Sequence, residues 1–398
     1  MTIMKMKVSL KLALLSLLVA VVGVAHLYAS THLLKNLFYQ TASTVDQQKE
    51  ESSQRIQVAL LLDTSNSMDG LIEQAKSQLW NILLSLSKTS KNGTPPQMEV
   101  ALYEYGNNDI SAREAHVRQV LAFTTDMDTV SAALFALTTN GGDEFCAQVI
   151  DHSIKNLKWD AATDAMRLIF IAGNEGFNQG VLPYRQTCAF AKENDIVVNT
   201  IFCGDCDEGV RIFWKEGADL TGGNYSCINQ NEATAYIATP YDDQLTTLND
   251  RLNDTYIAYG QQGKQKLQMQ RKQDSNASNY SKANLADRAS FKASANYLNS
   301  SWDLVDAYVA DSTIVKDKKA LPEEMSEMTE QEVAERIEKM RGSRANIQNE
   351  IQELSEKRAA YLKEQREAQS KDSNNDLQES VLKAIEKQAK KKGFDTKE

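Results

Sequence analysis

The chain has 398 residues, enough for one or two domains, and a formal net charge of −10. With no Arg-rich stretch mixed with aromatics, that acidity excludes a nucleic-acid binder, because neutralising phosphates needs a basic patch. In the C-terminal third Lys, Glu, Gln and Ser take over and aromatics thin out, so packing should weaken there.

Lys5, Lys7 and Lys11 lead into an apolar run from Leu12 to Ala25, which reads residues 1–29 as an export signal. The run is short against the roughly 20 apolar residues of a spanning helix, and Gly23-Val24-Ala25 offers a small-residue cleavage site. A cleaved signal peptide and an uncleaved membrane anchor both fit. Residues 30–53 are polar, lack periodicity and read as a tether. The expected location is the cell envelope or the exterior, so Cys146, Cys188, Cys203, Cys206 and Cys227 are candidates for disulfides. Their odd number leaves at least one unpaired or intermolecular.

From Arg55 onward, apolar strands alternate with amphipathic helices, the pattern of a mostly parallel sheet covered on both faces. Strands are expected at Ile56–Leu62, Met98–Tyr105, Val117–Phe123, Leu168–Ala172, Ile196–Phe202 and Tyr225–Ile228. Helices are expected at about 70–86, through Val130 to Leu137, from Val149 to Leu157, around Ala189–Lys192, at Val210–Leu220 and at Leu245–Tyr259. Six strands with interleaved helices make a doubly wound α/β domain over residues 54–260.

Residues 261–325 read as a linker with one short helical segment around Phe291, Tyr297, Trp302, Leu304, Val305 and Tyr308. Over 326–370 a 4-3 spacing runs through Val333, Ile337, Met340, Arg344, Ile347, Ile351, Leu354, Arg358 and Tyr361. That seam suits a coiled coil able to self-associate or to pack on the main domain, and a single solvated helix is the alternative. Residues 371–398, basic around Lys387 to Lys392, read as a charged solvated tail.

The strongest local signal is Asp63-Thr64-Ser65-Asn66-Ser67, directly after the first strand. A strand end puts Asp63 where open α/β sheets bind ligands, and the turn carries Ser65 and Ser67 toward the same point. One carboxylate and two hydroxyls suit a hard divalent cation. The D-x-S-x-S pattern resembles the metal-ion-dependent adhesion site of von Willebrand factor A-type domains, and the resemblance spans residues 55–260. It implies a Mg²⁺ site, with Ca²⁺ or Mn²⁺ as alternatives, that glues a protein or peptide ligand to the domain. It also implies a Thr just after a Gly-Gly pair. Here Gly141-Gly142 is followed by Asp143 and Glu144, with Thr138 and Thr139 upstream. Where the family carries an Asp after its fourth strand, this sequence offers Asn174, with Glu175 as the alternate. The metal set implied is therefore Asp63, Ser65, Ser67, Asp143, Glu144, Asn174 and Glu175, more acidic than the family pattern.

Catalysis is not expected. A dehalogenase-type phosphatase needs a second Asp two residues after the first, where Ser65 stands, and neither His116 nor His152 has a G-x-S-x-G elbow to serve. Cys203-Gly204-Asp205-Cys206 follows a strand and precedes a helix, so a dithiol oxidoreductase is an alternative. A metal-free scaffold assembling through its coiled coil is another. Topology brings Cys146, Cys203 and Cys206 to the rim of the proposed cation site. A bridge from Cys146 to Cys203 or Cys206 is expected there, with pairing of Cys203 and Cys206 to Cys188 or Cys227 as the alternative.

Overall fold

The computed structural model describes residues 54–228, 237–297, 299–369 and 377–396. The signal segment 1–29 and the tether 30–53 lie outside the described residues.

Strand β1 (Arg55–Asp63) is apolar on both faces because helices cover both. Ile56, Val58, Leu60 and Leu62 point into one core, and Ala59 and Leu61 into the other. A two-residue strand β2 (Thr89–Ser90) follows helix α1 (Ile72–Leu86). Then come β3 (Gln97–Tyr105), β4 (Val117–Thr124), β5 (Met166–Gly173), β6 (Val197–Cys203) and β7 (Tyr225–Ile228). The main sheet has the order β4-β3-β1-β5-β6-β7, with only β4 antiparallel. All six expected strands are present, in the doubly wound arrangement that their spacing predicts.

Helices α2 (Met127–Ala136), α3 (Cys146–Asn156) and α4 (Tyr184–Glu193) sit where helical spacing places them. The single helix expected over Val210–Leu220 is instead two, α5 (Cys206–Arg211) and α6 (Trp214–Thr221), because Phe213 between them turns to φ +76°. Helix α7 (Asp242–Asn253) closes this part of the chain.

Beyond it the chain is more ordered than its composition suggests. The segment read as a linker forms α8 (Gly263–Tyr280) and α9 (Lys282–Lys292), then α10 (Leu304–Ala310). Several of its polar residues are paired in the interior rather than solvated. Arg288 and Lys292 of α9 bond Asp274 of α8, and Lys292 also reaches Asn249 and Asn253 of α7. Arg288 and Lys292 are 1% and 0% exposed, which only such pairing permits.

Helix α11 (Glu330–Gln369) carries the 4-3 seam, and the seam faces its own domain rather than a second helix of the same kind. Val333 and Ile337 pack with Leu304 and Val305, while Ile347 and Ile351 join the core beneath β1. Its two Arg exceptions meet buried acids. Arg344 bonds Asp303 at 2.8 Å and Asp306 at 2.6 Å, and Arg358 bonds Asp242 at 2.7 Å and Asp287 at 2.6 Å. The expectation of packing on the main domain is met, and the coiled-coil reading gives way to a strap.

The residues read as a charged tail also dock. Helix α12 (Leu377–Lys391) lies against α1 and β7, placing Ile385 and Ala389 in the core. Strand β8 (Asp395–Thr396) pairs antiparallel with β2. Phe394 is 1% exposed, and the last basic residue before it, Lys392, bonds Asp195 and the Thr163 carbonyl. Among the described residues no helix is long and apolar enough to cross a membrane.

Candidate metal centre

Parallel pairing of β1 with β3 and β5 sets Asp63, Tyr105 and Gly173 side by side at the C-terminal edge of the sheet. The chain leaving β1 stays extended at Ser65 (φ −72°, ψ 165°) and then makes a short 3₁₀ turn, Asn66–Met68. That path carries Ser65 and Ser67 back toward Asp63. The Ser65 amide donates to Asp63 Oδ1 at 2.8 Å, and the two seryl oxygens lie 2.8 Å apart. Ser67 donates to Asn174 Oδ1 at 2.9 Å, and Asn174 Nδ2 returns a bond to the Ser67 carbonyl at 2.9 Å. Of the two candidates after β5, Asn174 is therefore the one joined to the motif. Glu175 accepts from Gln179 at 3.1 Å and stands half-buried.

The acid pair after Gly141-Gly142 divides in two. Asp143 is exposed, whereas Glu144 is buried, its side chain turned in against Gly106 beside Asp63. The Thr residues upstream are engaged elsewhere, Thr139 with Asp69, and the Thr138 carbonyl with Asn107 Nδ2 at 3.2 Å. The loop is held in place by the Asn140 amide, which donates to the Thr64 carbonyl at 2.9 Å.

Two glycines make room for this convergence, and sequence reading did not single them out. A Cβ at Gly106 would lie 2.8 Å from Asp63 Oδ1 and 2.9 Å from Glu144 Cγ, and its φ of +76° suits glycine. A Cβ at Gly173 would lie 3.0 Å from Asp63 Oδ2 and would strike the Tyr105 hydroxyl. The signal available was a Gly at the C-terminal end of each strand flanking β1, Gly106 just after β3 and Gly173 closing β5.

Asp63 is fully buried, and its Oδ2 has no hydrogen bond, although the Asn174 amide leans toward the carboxylate. Burial pushes its pKa up to about 7 against the pull of Ser65, and repulsion from Glu144 adds to the rise. Glu144 is raised too, first by burial and then by Glu175 and Asp143, with Ser65 opposing.

The cysteines fall differently from the bridge expected at the rim. Cys206 pairs with Cys227 across α5 and β7 at a Cα separation of 5.4 Å, while Cys146, Cys188 and Cys203 are free and buried. Cys146 lies under the site, its sulfur 3.8 Å from the Tyr105 hydroxyl, which is turned toward the Ala172 carbonyl at 3.1 Å. Cys203 ends β6 inside the core, and Cys206 leads away from it into α5, which is why neither the Cys146 bridge nor a Cys203–Cys206 dithiol forms. Burial pushes the Cys146 and Cys203 thiols well above their ordinary range. His116 is buried with Nδ1 3.3 Å from the Asn107 carbonyl, and His152 stacks edgewise on Tyr103.

No family model matches the sequence, and no curated protein does. Among solved structures the chain is similar to BatB from Bacteroides thetaiotaomicron, a conserved hypothetical protein, at 15% identity over 44% of this chain and 90% of that one, with a TM-score of 0.34. It is similar to the SpRpn10 VWA domain at 14% identity, covering 44% and 88%, with a TM-score of 0.33. A third similar structure is proximal thread matrix protein 1 from the mussel byssus with a zinc-occupied MIDAS motif, at 9% identity, covering 46% and 44%, with a TM-score of 0.34. This chain thus spans less than half the length of the mussel protein. The sheet order, the single antiparallel strand and the Asp63-to-Ser67 turn at the end of β1 define the fold of a von Willebrand factor A-type domain.

Proposed function

We propose that this chain is an exported, adhesion-type protein-binding module whose contact surface depends on a divalent cation, and that it binds its partner without altering it chemically. The observation that carries the reading is the fully buried Asp63 carboxylate, with Oδ2 unbonded, beside Ser65, Ser67, Glu144 and Asn174. A buried charge without a partner costs several kcal/mol or stays protonated, and a cation removes that cost. The donors are all hard oxygens, and the missing Cβ atoms of Gly106 and Gly173 let the loops after β1, β3 and β5 close on Asp63, so the residues present fit such an ion.

Asp63, Ser65, Ser67 and Glu144 would hold the ion, with Asn174 orienting Ser67. Mg²⁺ is the first candidate, and the second carboxylate, from Glu144, keeps Ca²⁺ and Mn²⁺ in play. When bound, the ion would supply the positive charge that the Asp63–Glu144 pair lacks. Ser65 and Ser67 fix the turn after β1, Asn174 ties the loop after β5 to it, and Glu144 ties in the loop before α3. The surface offered to a partner is then one rigid face. Export rests on the sequence of residues 1–29.

Calorimetric titration with Mg²⁺, Mn²⁺ and Ca²⁺ tests the reading. Saturable heat with the wild-type chain and none with Asp63→Ala is expected. A wild-type chain that takes none of the three ions overturns it.

A further inference from the structure

Four loops meet at the open end of the sheet, residues 64–71, 106–116, 137–145 and 174–183. Against the single base Arg113 they carry Asp69, Asp109, Glu114, Asp143, Glu144 and Glu175. Among the described residues none of these acids forms an ion pair. The bonds to Asp69, Asp109 and Glu175 come from the neutral side chains of Thr139, Asn140 and Gln179. Elsewhere in the same fold acids are matched, as Glu104 is by Arg118 and Asp242 by Arg358.

Inside this rim the unbonded, fully buried Oδ2 of Asp63 independently points to a positively charged occupant. A divalent ion placed there is neutralised by Asp63 and Glu144 alone, so the charge of the outer acids is left over. Glu144, turned in against Gly106 beside Asp63, also covers the inner site from the side of the 137–145 loop. A carboxylate arriving from outside would face Glu144, Asp143 and Glu175 together, whereas an ammonium or guanidinium group would be drawn by the same three.

Resting on the cation reading above and going beyond it to the partner, we infer that this face receives a Lys- or Arg-bearing segment of a protein. The acidic rim recognises the partner's cations, and like-charge repulsion rejects acidic segments.

The test uses the full chain with Mn²⁺, its binding followed by calorimetry, and two fluorescein-labelled peptides, one alternating Lys and Ser, the other Glu and Ser. The Lys peptide should bind, more weakly at physiological than at low ionic strength. Asp109→Lys/Glu114→Lys, at two exposed rim acids outside the metal set, should lower its affinity at least about tenfold while Mn²⁺ heat persists. Should that double variant not fold, Glu114→Lys alone provides the same comparison. Preference for the Glu peptide, binding of neither peptide, or an unchanged Lys-peptide affinity in the charge-reversed variants overturns the inference, even where Mn²⁺ binds. A chain that takes no Mn²⁺ yet binds the Lys peptide overturns the cation reading alone.

Discussion

Arg288 on α9 donates to Asp128 on α2 at 2.6 Å, although 160 residues separate them and both side chains are almost sealed from water. This bond fastens the C-terminal helices to the α/β domain. Asp128 also accepts from the Tyr297 hydroxyl at 2.6 Å, so its carboxylate serves two donors from the added layer.

Asp128→Ala should therefore destabilise the whole chain by about 3–5 kcal/mol, the range for removing one partner of a buried pair. Urea denaturation followed by tryptophan fluorescence measures it. A loss below about 1 kcal/mol would mean that the C-terminal layer is held by apolar packing alone.

Acid should loosen the same layer. Burial pulls the Asp274 carboxyl up, but Lys292 and Arg288 pull it further down, well below the usual carboxylate range. Asp242 is likewise lowered by Thr239 and Arg358 against its burial. A depressed folded-state pKa contributes stability that is complete above the ordinary value of about 4 and is lost as pH falls toward the folded value. Stability should thus decline from about pH 4 downward, and Asp274→Asn should flatten that limb while lowering stability at neutral pH. A pH series of denaturation midpoints decides it.

Gly106→Ala is the sharpest probe of the metal centre. The new methyl would fall within 3 Å of both Asp63 and Glu144, in a backbone conformation that alanine adopts with strain. Loss of calorimetric cation binding is expected, with a stability cost of about 1 kcal/mol or more. In the wild type, cation binding should release a proton below about pH 7, because the raised Asp63 pKa leaves that carboxyl largely protonated without the ion, so affinity should rise with pH through that value.

The seam of α11 makes a prediction about oligomeric state. With Ile347 and Ile351 in the domain core and Arg344 stacked 4.2 Å over the Tyr256 ring, the strap has little left to offer a second copy. Arg344→Ala/Arg358→Ala should free α11 from its acids, seen as proteolysis between 330 and 369 by mass spectrometry. A double variant as protease-resistant as wild type would show that apolar contacts alone hold the strap.

The sheet was legible because β1 and β5 hold unbroken apolar runs over residues 58–62 and 168–172 and because each ends at a recognisable turn. Asp63, Ser65 and Ser67 were legible for a related reason: they fall within five consecutive residues, so the end of one strand delivers all three. Glu144 was harder, since two adjacent acids look alike in sequence and only the close approach of Gly142 to Gly106 decides which one turns inward. The period of α11 was legible, but the choice between a second copy and the main domain was not, because a 4-3 seam is what any long helix needs in order to lie along other helices. Arg344 and Arg358 in that seam held the clue, since a cation at a core-facing position implies a buried acid opposite. Residues 377–396 defeated the reading because the few apolar side chains that dock them, Ile385, Ala389 and Phe394, are scattered among lysines.

The pairing of Thr89–Ser90 with Asp395–Thr396 joins the stretch after α1 to the last described residues across about 300 positions. Phe394 then seals a core whose first strand leaves the ribosome long before it. Such a closure forms only once both segments have been made, so a chain cut before Phe394 should fold without its last seal.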